Sequence, residues 1–189
     1  MKSIDTELAD ELWQEFYRKN GRVWLTVKSG SMLPLIRPQD RVLMCRAAAG
    51  QLHRGDVTVF KRSGSLIAHR VLKELHTDGG ACFIEKGDNA DGWGEFRADD
   101  FIGRITRVRS GNRVFVLDSR SGRLAGRVLA AWFYGTGTVV KRLKSSPGIV
   151  TRKTGGAIRR LSIVPSAILL RLCCAVWRLS GLRNRETAG

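Results

Sequence analysis

From residue 21 onward the chain runs as a series of short apolar stretches: Val23–Val27, Arg41–Cys45, Val57–Lys61, Leu66–Leu75, Ala81–Glu85, Ile102–Arg109 and Val114–Leu117. Gly, Pro, Asp and Asn punctuate them about every ten residues, the signature of strands joined by tight turns. Most are too short to be helices of ordinary length, so the fold class expected is mainly β, an antiparallel core. Ahead of it, Asp5–Arg18 sets Leu8, Leu12, Trp13, Phe16 and Tyr17 at helical spacing, with acids in the early turns where they suit the helix dipole. A short amphipathic N-terminal helix is therefore expected within residues 1–20.

Past Ser119 the texture changes. Leu124–Tyr134 has the composition of a helix, Lys141–Gly156 reads as a basic linker with Gly, Ser and Pro, and Ile158–Leu182 is the most apolar stretch of the chain. Four regions follow: 1–20, a β-rich core at 21–118, a basic helix and linker at 119–157, and a tail at 158–189. No internal repeat is visible.

Charge separates the same halves. The chain carries 33 Lys and Arg against 17 Asp and Glu, a net +16, but residues 1–105 hold 16 against 15 and residues 106–189 hold 17 against 2. A second half so basic is drawn to polyanions. Its segment LSIVPSAILLRLCCAVWRL is nearly long enough to cross a bilayer, yet a central Arg171 or Arg178 would cost about 2.5 kcal/mol or more in a spanning helix. Arg160, Arg171, Arg178 and Arg185 are spaced 11, 7 and 7 residues apart and return to one helical stripe. An amphipathic tail lying on an anionic membrane surface is the expectation. Nucleic acid fits less well as a partner, because the arginines are interleaved with Leu, Ile, Val, Ala and Trp.

Cys45, Cys82, Cys173 and Cys174 lack the paired spacing of a zinc site, so neither metal nor cofactor is expected. Asp5, Glu7, Asp10, Glu11 and Glu15 interrupt the first residues, which argues against a cleavable secretory leader there.

Three segments carry candidate chemistry. Lys28-Ser29-Gly30-Ser31-Met32-Leu33-Pro34 follows a strand and makes a tight turn from which the Ser31 hydroxyl can project. By itself Ser31 reads as an ordinary turn serine, since a nucleophile also needs a base and a polarised oxyanion site. His69, in the apolar strand Ser65–Val71, is the candidate base; His53 and His76 sit in polar surroundings. Asp88, in Gly87-Asp88-Asn89, is a candidate for the carboxylate that fixes the imidazole tautomer, with Asp91 as an alternative.

Together and in this order, Ser29-Gly30-Ser31-Met32-x-Pro34, Gly55-Asp56-Val57-x-Val59-Phe60, His69-Arg70-Val71, Lys86-Gly87-Asp88-Asn89 and Ile102-Gly103-Arg104-Ile105 resemble the conserved boxes of the type I signal peptidase family. The resemblance covers residues 26–106. With His69 where most bacterial members have lysine, it is to the branch found in the endoplasmic reticulum, in archaea and in sporulation. It implies a β-rich serine endopeptidase that needs no metal and cleaves a precursor protein or peptide. Ser31 would be the nucleophile, His69 the general base and Asp88 the orienting acid. The Ser31 N–H and Ser29 hydroxyl would hold the oxyanion, and Met32 would shape the cleft. Where that branch carries a second acid this chain has Gly92-Trp93-Gly94, which leaves Asp91 or Asp99-Asp100 as substitutes. Two other functions compete: a β-domain binding nucleic acid through the basic half, and a self-cleaving repressor-like peptidase. The latter uses a lysine base and an upstream helix-turn-helix domain.

Overall fold

A computed structural model of the chain describes residues 14–78, 80–145, 172 and 175. The fold is mainly β and antiparallel, with a helix at each end of the sheet-forming region. Helix α1 (residues 14–20) leads into β1 (Arg22–Thr26), β2 (Arg41–Cys45), β3 (Val57–Arg62), β4 (Ser65–Thr77), β5 (Gly80–Lys86), β6 (Gly94–Arg97), β7 (Phe101–Ser110) and β8 (Arg113–Val116). Helix α2 (Arg120–Ser145) follows.

The strands form one sheet in the order β1-β2-β7-β3-β4-β5-β6, with β8 added to β7. Every pairing is antiparallel, and one-residue irregularities at Leu43/Met44, Val59/Phe60 and Val71/Lys73 shift the register. Such bulges increase local twist, which lets a long sheet curl around its own core.

Strand β3 is buried on both faces. Val57 and Val59 enter the main core with Met32, Ile36, Met44, Leu72, Ile105 and Val108, whereas Phe60 enters a second cluster with Leu52, Val71, Phe83 and Phe96. In that cluster Phe96 stacks between Phe60 at 4.4 Å and Phe83 at 5.1 Å. Alternation along β4 therefore sends Leu72 to the main core and Val71 to the aromatic cluster. Arg70 goes with Leu72, and His69 with Val71.

Ser119 caps α2: its Oγ accepts from Gly122 N–H at 3.1 Å and donates to Val116 O at 2.9 Å. Ala125, Leu129, Ala130 and Phe133 form the buried stripe of the helix. Contact with the segment that leads into β3 is unusually close, because a Cβ on Gly126 would lie 2.7 Å from Gly55 O.

Strand boundaries fall close to those expected, with two differences. Strand β6 has no counterpart among the expected strands, and α2 extends well past Tyr134, so residues 141–145 are helical instead of linker. Among the described residues, no helix is long and apolar enough to cross a membrane. The tail at 158–189, expected on a membrane surface, lies outside the described residues except for positions 172 and 175.

Candidate active site

Ser31 opens a helical turn just beyond β1. Leu33 N–H donates to Gly30 O at 3.2 Å and Ile36 N–H to Met32 O at 3.0 Å, closing the turn in which Met32, Leu35 and Ile36 face inward. The Ser29 and Ser31 hydroxyls are 3.3 Å apart, within reach of a hydrogen bond in either direction. Met32 is only 2% exposed and belongs to the main core, in place of the expected cleft position. It anchors the serine turn from beneath.

The Lys86–Ala90 loop holds that turn in place. Asn89 N–H donates to Ser31 O at 2.8 Å, and Asn89 Nδ2 reaches Gly30 O at 3.4 Å. A Cβ on Gly87 would lie 2.7 Å from Ser31 O and 2.9 Å from His69 Nε2. Thus Nε2 and the Ser31 backbone border one methyl-sized space, kept open by glycine. Lys86 closes the loop by donating to Gly87 O at 3.1 Å and to Ala90 O, while its ammonium lies 5.0 Å from the centre of the Phe133 ring. Burial pushes the Lys86 ammonium below its usual range, against the opposing pull of Asp88, Asp91 and Glu85.

At the far side of the imidazole the carboxylate differs from the one expected. His69 Nδ1 is 2.5 Å from Glu85 Oε2, and the Glu85 side chain is 2% exposed. Glu85 Oε1 accepts from Arg62 Nη2 at 2.9 Å, and the same guanidinium nitrogen donates to Glu95 O at 2.7 Å. Burial alone would raise the Glu85 carboxyl, but the hydrogen bonds and charges of His69 and Arg62 outweigh it and hold the group below the usual carboxylate range. The Phe60 ring meets the imidazole edge-on, with centroids 6.2 Å apart.

Asp88 is occupied elsewhere. Its oxygens accept from Arg70 Nε at 2.8 Å and Nη2 at 2.6 Å, and Arg70 Nη1 donates to Gly55 O at 2.9 Å. Both side chains of the pair are fully buried. The orienting position assigned to Asp88 is therefore held by Glu85, for a reason of strand geometry: Arg70 points to the opposite face from His69 and takes Asp88 with it. Asp91 is exposed, and Asp99 and Asp100 lie in the short 3₁₀ turn before β7. None of these is the carboxylate at Nδ1.

Glu85 was detectable in principle. It shares alternation parity with Phe83, so an acid at that position points inward and requires a partner. Among the described residues no group of three or more His, Cys, Asp or Glu side chains could hold a metal ion. Cys45 and Cys82 carry free thiols. In comparison with known proteins, no family model matches the chain, and no curated protein matches it in sequence.

Proposed function

We propose that the chain is a serine endopeptidase that cleaves a precursor protein or peptide, with Ser31 as nucleophile and His69 as general base. The observation that carries this reading is the imidazole held at Nδ1 by a buried carboxylate while its Nε2 borders the Ser31 turn. A carboxylate at Nδ1 keeps the proton there and leaves Nε2 free to accept one, which is the tautomer a base needs. In the resting arrangement the Ser31 hydroxyl is paired with Ser29. Attack then requires Oγ to turn toward Nε2. Oγ bonds to the scissile carbonyl carbon, its proton passes to His69, and the same proton is returned to the departing amine. Water clears the acyl-enzyme through the same base.

The reading extends to an anionic membrane surface as partner. Alongside the basic tail, the outer face of α2 exposes Leu124, Val128 and Val139 beside Arg123 and Arg127, the mixture that suits lipid headgroups. Failure of the full chain to bind phosphatidylserine vesicles at low salt would remove this part.

Co-expression with small secreted or modified peptides encoded near its gene, followed by intact-mass measurement, tests the activity directly. The expected result is a single new cleavage that disappears with Ser31→Ala. A cleavage that persists in the purified Ser31→Ala protein would overturn the assignment.

A further inference from the structure

We propose that Glu85 is the positioning carboxylate of the catalytic unit, delivered from strand β5, and that Gly94 on β6 is glycine because its side-chain space is the one Glu85 uses. This rests on the serine-peptidase reading and names its third member. Glu85 and Gly94 are direct cross-strand partners. A Cβ built on Gly94 would run into Glu85 Oε1 and lie 3.2 Å from Arg62 Nη2. Any other residue at 94 would therefore displace the carboxylate from the imidazole or the guanidinium from the carboxylate.

The two oxygens have separate tasks. Oε2 faces His69 Nδ1, and Oε1 is held by Arg62, which is itself tied to the β6 backbone at Glu95 O. Fixing the second oxygen stops the carboxylate from rotating, so the first stays in line with the ring. Arg62 also lies over Phe60, 4.9 Å from the ring centroid, and Phe60 abuts the imidazole. Arg62, Phe60 and Gly94 thus surround a dry, oriented acid. An ion pair with the half-exposed Arg62 would by itself satisfy Glu85, yet here the shorter contact goes to the histidine.

The test uses the full chain and acetyl-Ala-Ala-Ala p-nitrophenyl ester, so it does not depend on finding the natural precursor. Acylation forms the Ser31 Oγ–carbonyl bond, expels nitrophenolate and sends the hydroxyl proton to His69; water then releases the peptide acid. Glu85→Gln, which keeps shape and removes charge, should lower kcat by about 10³–10⁴-fold with little change in KM, as expected when a triad carboxylate is neutralised. Glu85→Gly should be equally slow. Adding Gly94→Asp to Glu85→Gly puts a carboxylate back into the vacated space from the other strand, and should recover about tenfold or more in kcat. That rescue is a result that a purely structural role for Glu85 would not give. If Glu85→Gln turned over within about threefold of the unaltered protein while His69→Ala was inactive, the proposal would fall and the peptidase reading would stand. If Ser31→Ala released nitrophenolate as fast as the unaltered protein, both would fall.

Discussion

Ser31→Ala and His69→Ala should each lower the turnover of a cleaved precursor by about 10⁶-fold, and the double variant should be little worse than either single one. The expectation follows from how the parts depend on one another. Without Oγ the base has no proton to take, and without the imidazole the hydroxyl attacks as a neutral alcohol. Removing the second member of a broken unit costs almost nothing further. What survives should be the contribution of substrate positioning and the oxyanion donors, roughly 10³–10⁴-fold over water. Ser31→Ala should fold normally, because Ser31 lies in a partly exposed turn, whereas His69→Ala takes a mostly buried ring away from Glu85, so its turnover is measured below its own melting temperature. His53→Ala and His76→Ala supply the contrast. His53 is exposed, with Nδ1 bonded to Gln51 O, and the His76 side chain is 83% exposed. Each should leave kcat within about twofold. Strict additivity of Ser31→Ala and His69→Ala would mean that the two side chains do not act together, and would remove His69 as the base.

The sheet was legible in the sequence because apolar alternation and turn residues mark its strands locally. Two elements were not. Strand β6 contains one large apolar residue, Phe96, between Glu95 and Arg97, and exists because β5 offers it a partner and Phe60 and Phe83 a stacking surface. Helix α2 is longer than its composition suggests. Gly122, Gly126, Gly135 and Gly137 each disfavour helix by roughly 0.8–1 kcal/mol relative to alanine. Tertiary packing reverses that local preference. A side chain at Gly122 would strike Leu117 O at 2.5 Å, and one at Gly137 would press on the Trp93 ring at 3.0 Å. Gly122, Gly126 and Gly137 let the helix approach its neighbours this closely, whereas a side chain at Gly135 would meet open space.

The candidate site divides in the same way. Residue type and order single out Ser31, Ser29 and His69 as candidates, and the structure brings the Ser31 turn to the imidazole. The Gly-Asp-Asn box points to Asp88, but sequence proximity carries no information about which face of β4 a neighbour occupies, and it is Glu85 that lies at Nδ1. His69 and Arg70 are adjacent in sequence and opposite in direction. Each recruits its own carboxylate, Glu85 on the aromatic side and Asp88 on the main-core side.

That division makes Asp88 a stability residue, and its removal should be among the most damaging changes to the fold. Asp88→Ala would take away the carboxylate to which both Nε and Nη2 of the fully buried Arg70 guanidinium donate. Stripping one member from such a pair costs about 3–5 kcal/mol, a large share of the 5–15 kcal/mol that typically holds a domain together. For a chain of this size the melting temperature should fall by roughly 6–20 °C. Arg70→Ala should be comparably harmful, since it strands the carboxylate and also releases the Gly55 loop against which Gly126 packs. The double change Arg70→Met with Asp88→Leu should recover much of the loss, because apolar side chains of similar volume avoid the desolvation cost altogether. Ester turnover separates this role from a catalytic one. Below its lowered melting temperature, Asp88→Ala should keep kcat close to that of the unaltered protein, whereas Glu85→Gln should lose kcat without a matching fall in stability. A folded Asp88→Ala protein with an unchanged melting temperature and no turnover would return the orienting role to Asp88. Two carboxylates three residues apart in sequence would then have exchanged the functions that their strand faces assign them.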